Sequence, residues 1–124
     1  MQRLVVWFDI PVLDLDRATA FYSGVLGEPV KRMEMGGSFV MGMLPGEDEV
    51  LGGCLYVSEE VKPTDQGTMQ YFNVAGRLRA AVEAARALGG TVKVEVEPIG
   101  PWGFRAIVLD SEGNRIALHS PTDE

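Results

Sequence analysis

One cysteine and one histidine are all that the 124 residues hold of each. A lone thiol, Cys54, excludes an internal disulfide and a cysteine-built metal cluster. A lone imidazole leaves any histidine chemistry to His119. No apolar run approaches the ~20 residues that span a bilayer, and no charged, apolar, small-residue leader opens the chain, so a cytoplasmic protein without a membrane partner is expected. Basic residues are scarce as well: 11 Lys and Arg stand against 18 Asp and Glu, for a net charge of -7. Nucleic-acid binders gain affinity by neutralising phosphates with Lys and Arg, so nucleic acid is not an expected partner. Also missing are a G-x-S-x-G elbow, a phosphate-binding glycine loop, an H-E-x-x-H pair and a dinucleotide fingerprint.

What is present is an ordinary globular composition, 46% hydrophobic, in a chain long enough for one domain with a real core. Near its end, Asp110 to Asn114 reads as a tight polar turn: Asp and Asn tolerate left-handed backbone, and Gly113 has no side chain to clash there. Strands at 104–109 and 115–119 flank it. Alternation puts Ala117 and His119 on one face and Ile116 and Leu118 on the other. At the other end, residues 3–12 predict a buried strand rich in Val, Trp, Phe and Ile, with Pro11 near its close. Asp14 is placed to cap a helix in which Leu15, Ala18, Phe21, Tyr22 and Val25 recur at helical spacing, and Gly27 stops it. Strands follow at 30–35, 38–44 and 50–57, with a turn at Gly36-Gly37 and an acidic loop at 45–49. After a linker at 61–67 the pattern restarts: a strand at 68–74, a helical stripe of Leu78, Ala81, Val82, Ala85 and Leu88 ending at Gly89-Gly90, then strands at 91–96, 103–109 and 115–119. Val12 sets onto Val74. Modules 1–60 and 68–124 thus each read strand, helix, three strands, and a repeat of this kind implies units that cannot close a core alone. The expected fold is α+β: two tandem βαβββ modules forming a cleft-enclosing mixed sheet, helices on the outside.

Three stretches, FDIPVLDLDRATAFYSGVLG at 8–27, YFNV at 71–74 with the helix after it, and DSEGNRIALHS at 110–120, are similar to the vicinal oxygen chelate superfamily of glyoxalases, bleomycin-resistance proteins and extradiol dioxygenases. The resemblance implies paired βαβββ modules around a cleft and a homodimer. It does not imply one reaction, because the fold carries unrelated functions. Metal-dependent members hold a divalent cation with His or Glu from the first and fourth strand of each module. The matching positions here are Trp7, about Gly52, Met69 and Ala117. Indole only donates and a thioether suits such cations poorly, so no metal ligand and no cofactor is expected.

Two residues further along those strands stand Asp9, Cys54, Tyr71 and His119. If this tier converges, Asp9 orients His119 as a general acid or base, the two catalytic candidates. Alternatively His119 only ends the last strand, and Asp9 bonds a turn amide or hydroxyl. A carboxylate within an apolar strand needs a partner, for which His119, Arg3, Arg105 and Arg115 qualify. Trp7, Met69 and Met41 or Met43 suit a flat or irregular organic ligand as well as an ordinary core. Trp102, at the tip of the stiff stretch 98–104, is placed to lid the cleft or to contact a partner subunit. Nothing local activates Cys54, which reads as an inert buried thiol. Ligand-binding candidates are therefore Trp7, Cys54, Met69, Tyr71 and Trp102. Three functions stay open: a metal-free protein that binds an aromatic or cationic small molecule, a lyase or isomerase using Asp9 and His119, and a non-catalytic regulatory or interaction module.

Overall fold

The computed structural model describes residues 4–46 and 52–124. Its elements run β1 (Trp7–Val12), α1 (Leu15–Leu26), β2 (Lys31–Glu34), β3 (Val40–Met43), β4 (Gly52–Val57), β5 (Gln70–Asn73), α2 (Leu78–Ala87), β6 (Thr91–Pro98), a short turn of 3-10 helix at Gly100–Trp102, β7 (Phe104–Leu109) and β8 (Arg115–Ser120). The expected βαβββ order thus appears twice. It is built as two four-stranded sheets, β1-β4-β3-β2 and β5-β8-β7-β6. In each, the first strand pairs with the last in parallel and the rest are antiparallel.

Local chemistry explains the helix limits. The Asp14 side chain accepts the Arg17 amide at 3.0 Å, and Gly27 ends α1 at φ 77 with its amide on the Ser23 carbonyl. Several strands are shorter than their sequence signal. Trp7 is the first residue of β1 and faces Gly52; Leu4, Val5 and Val6 lie outside the strand and exposed, without a ladder partner among the described residues. The β5 ladder begins at Gln70 opposite Ile116, so Met69 precedes it. The predicted strand starts at residues 3 and 50, and most of the acidic loop at 45–49, lie outside the described residues.

Both helices pack on one side of the sheets and against each other. One apolar cluster draws on both modules: Ile10, Val12, Phe21 and Leu55 from the first, Phe72, Leu78, Val82 and Leu118 from the second. Phe8 meets Phe72 edge-on at 6.0 Å, and Tyr22 meets Phe72 at 5.7 Å. A polar staple reinforces this seam. The Glu112 carboxylate accepts the amides of Leu13 and Asp14 at the start of α1, both at 2.9 Å, and the Arg17 guanidinium at 2.7 and 2.8 Å. Buried Asp110 accepts the Tyr22 hydroxyl at 2.5 Å, and Asn114 donates to the Pro11 carbonyl at 2.8 Å. The 110–114 turn therefore does more than reverse the chain: it fastens the second module to the first. Among the described residues, no helix is long and apolar enough to cross a membrane.

Candidate functional site

Strand alternation sends Ile10, Val12, Phe72, Ile116 and Leu118 toward the helices, which leaves the opposite sheet faces to the sequence-predicted site residues. The register distributes those residues between two separate places. In the first sheet Asp9 stands beside Cys54, as the tier requires. In the second, Tyr71 stands beside Ala117, while His119 stands beside Asn73, two residues along. The tier is thus split between the two sheets, and within the second it is offset by two residues. Among the described residues, Asp9 makes no hydrogen bond to His119 and no salt bridge to an arginine.

Asp9 is exposed on its strand and finds local partners instead. Its Oδ1 accepts the Trp7 indole N–H at 2.9 Å and the Cys54 thiol at 3.3 Å. Burial, followed by the neighbouring Asp9 carboxylate, pushes the Cys54 thiol up to about 12, so it stays protonated and unreactive at neutral pH. Trp7 is 42% exposed beside this carboxylate. Asp9 borders a groove of about 290 Å³, lined also by Lys62 and Thr64 of the linker and by Arg115 of β8. Met69 joins neither place.

The second sheet gathers more. A pocket of about 490 Å³ is lined by Tyr71, Ile99, Trp102, Arg105 and His119. Three sequence candidates, Tyr71, Trp102 and His119, meet here. Two of its lining residues, Arg105 and His119, oppose each other in a transverse row that continues outside the lining to Glu97 on one side and Asn73 on the other. Arg105 donates from Nε to Glu97 at 3.0 Å and from Nη1 to the Tyr71 hydroxyl. Glu97, then Tyr71, raise its already high pKa, and the guanidinium is a permanent cation. His119 Nε2 lies 2.5 Å from the Trp102 carbonyl. A carbonyl only accepts, so this nitrogen carries a proton and donates it. The bond ties down a loop already closed by the Ile99 amide on the Gly103 carbonyl at 2.8 Å, and it leaves the Trp102 side chain 73% exposed at the rim. Arg105 entered the sequence argument only as a partner for Asp9; Ile99 and Glu97 did not enter as site residues. A signal existed for Arg105. Once 110–114 is a turn with Leu109 opposite Arg115, counting four residues outward sets Arg105 against His119.

The positions that match metal-binding strands do not fit a divalent cation. Trp7, Gly52, Met69 and Ala117 offer an indole, no side chain, a thioether and a methyl group. Among the described residues, no three His, Cys, Asp or Glu side chains gather as a candidate metal site. A displaced site built from Asp9, Cys54 and His119 lacks its third member, since His119 sits in the other pocket.

Comparison with known proteins agrees with the architecture. No curated protein matches the chain significantly. A glyoxalase/bleomycin resistance protein from Albidiferax ferrireducens superposes with a TM-score of 0.76 at 17% identity, covering 95% of this chain and 98% of that one. The fosfomycin resistance protein FosX from Listeria monocytogenes gives 0.69 at 17% identity, covering 97% and 94%. UcmS2 gives 0.68 at 26% identity, covering 96% and 98%. The family profile that matches residues 4–118 is that of the Glyoxalase/Bleomycin resistance protein/Dioxygenase superfamily, and the chain belongs to it.

Proposed function

We propose that this chain is a small-molecule binding protein that works without a metal and holds a flat organic compound in the pocket beneath Trp102. The observation that carries the reading is the convergence of Tyr71, Trp102 and His119 with Ile99 and Arg105 around one space of about 490 Å³, a size usual for organic ligands. Two aromatic rings and an aliphatic wall supply stacking area, and a few polar groups fix orientation. Holding a compound without transforming it is a role comparable to that of bleomycin-resistance proteins that sequester an antibiotic. The acid–base reading draws no support from the geometry: His119 spends Nε2 on the Trp102 carbonyl, and Asp9 is occupied by Trp7 and Cys54. A thermal-shift titration with naphthamide, a neutral flat probe, tests the proposal. The wild type should be stabilised with the logarithm of ligand concentration above the Kd, and Trp102→Ala should lose most of that shift. A probe that stabilises both proteins equally would place binding elsewhere.

The same reading includes a homodimer. The first sheet leaves Trp7, Met33, Met41 and Tyr56 on the face away from the helices, where Met33 pairs with Met41 and Met41 with Tyr56 in one row across the strands. Leu4, Val5 and Val6 add exposed apolar surface beside them, 60–90% accessible. Large apolar side chains left in water favour association, and a second copy would cover these. Sedimentation equilibrium should return twice the 13.5 kDa chain mass; a monomer at micromolar concentration would contradict this.

A further inference from the structure

We infer that the ligand of the Trp102 pocket is a planar aromatic acid, a ring system bearing a carboxylate or an equally acidic oxygen. This rests on the proposed binding role and narrows it, for the sequence left aromatic and cationic ligands both open. Charge is the first argument. The chain is acidic overall, yet the pocket lining holds one arginine and no carboxylate. Glu97 pairs with Arg105 through Nε and is not part of the lining. A cationic ligand would therefore find Arg105 as the one charge in the lining, with the Glu97 carboxylate already engaged by it, which costs affinity instead of adding it.

The direction of the hydrogen bonds points the same way. Nε of Arg105 is committed to Glu97, and one Nη1 proton to Tyr71. Nη2 has no partner among the described residues, so the fork still has donors to offer. The Tyr71 oxygen accepts from Arg105, which leaves its own proton to be given away. The pocket floor thus presents a cluster of donors at one end, and such a cluster selects a group that only accepts. A carboxylate matches it best, because two oxygens can receive the guanidinium and the phenol together. Above that end, Trp102, Tyr71 and Ile99 leave flat apolar walls for the ring. The Glu97–Arg105–Tyr71 chain of bonds holds the fork in place before a ligand arrives, so less ordering is required on binding.

Calorimetric titration with three congeners tests this: naphthoate, naphthamide and naphthylmethylamine share one ring system and differ in charge. The wild type should bind naphthoate at least tenfold tighter than the amine, with the amide between them. Arg105→Met should remove the preference, weakening naphthoate about tenfold and the amide by a smaller factor, since one carbonyl oxygen draws less on the fork than a carboxylate does. Arg105→Lys, which keeps the charge and loses the fork, should recover part of it. Amide binding that persists in the Met variant and is still lost on adding Trp102→Ala shows that the pocket has kept its shape. If the amine binds as tightly as naphthoate in the wild type, the acid assignment is overturned while Trp102-dependent amide binding still upholds the pocket. If none of the three binds, both the acid assignment and the binding role fall.

Discussion

Glu112 is a charged residue whose side chain is wholly out of water, and its partners explain why it remains charged. Burial would push its carboxyl up, but the Arg17 guanidinium, the Ser111 hydroxyl and the amides of Asp14 and Leu13 outweigh that and bring it down to about 2. The anion also sits at the start of α1, where the helix dipole favours it. A carboxyl at its ordinary 4.5 when unfolded and about 2 when folded contributes stability that is fully present above the higher value. That contribution drains away as the pH falls from about 4.5 toward 2. Glu112→Gln turns amide protons toward the Arg17 donors and should cost ~1.5–3 kcal/mol near neutrality, the range for hydrogen bonds to a charged group. Urea melts check it: the gap between wild type and variant should be full at pH 7 and visibly smaller at pH 3. A gap independent of pH would mean that the lost contribution is packing and not charge.

At the scale of elements, the loop between β6 and β7 carries the site, and Gly103 is its hinge point. Its φ of 96 lies where side chains are rarely tolerated, and an added Cβ would stand 2.5 Å from the Ser120 carbonyl oxygen and 2.9 Å from the Pro121 Cα. Both obstacles are backbone, so neither can swing aside. Gly103→Ala should therefore cost ~1–3 kcal/mol as strain and displace the Trp102 loop. The expected readouts are a lower urea midpoint and naphthamide binding weakened severalfold; wild-type affinity in this variant would show that Trp102 does not need the loop's present form. The loop's stiffness and aromatic tip were legible in residues 98–104, and so were the capped limits of α1 and the hairpin around Gly113, because each depends on neighbours a few positions away. The partnership of His119 with the Trp102 carbonyl was not, since it spans two elements and involves a backbone atom that no residue pattern announces.

For the whole molecule, the repeat was readable because both halves follow the same alternation of apolar residues. How the halves meet was not. Tyr22, Asp110, Arg17 and Glu112 lie some ninety positions apart in their pairs, and only the folded chain shows that the closing turn is the clasp between modules. The same limit explains the misplaced tier. Repeating the strand pattern set four residues level, but Asp9 and Cys54 belong to the first sheet and Tyr71 and His119 to the second, where the histidine keeps company with Arg105 and Trp102. The account thus rests on one pocket in the second sheet. Its two indoles give a direct test, as Trp7 bonds Asp9 on the first sheet while Trp102 stands at the pocket rim. In a proton–nitrogen correlation spectrum of labelled protein, with indole signals assigned from Trp7→Phe and Trp102→Phe, added naphthamide should move the Trp102 signal progressively to saturation. A Trp102 signal that stays fixed while the probe binds elsewhere, or does not bind at all, would contradict the account.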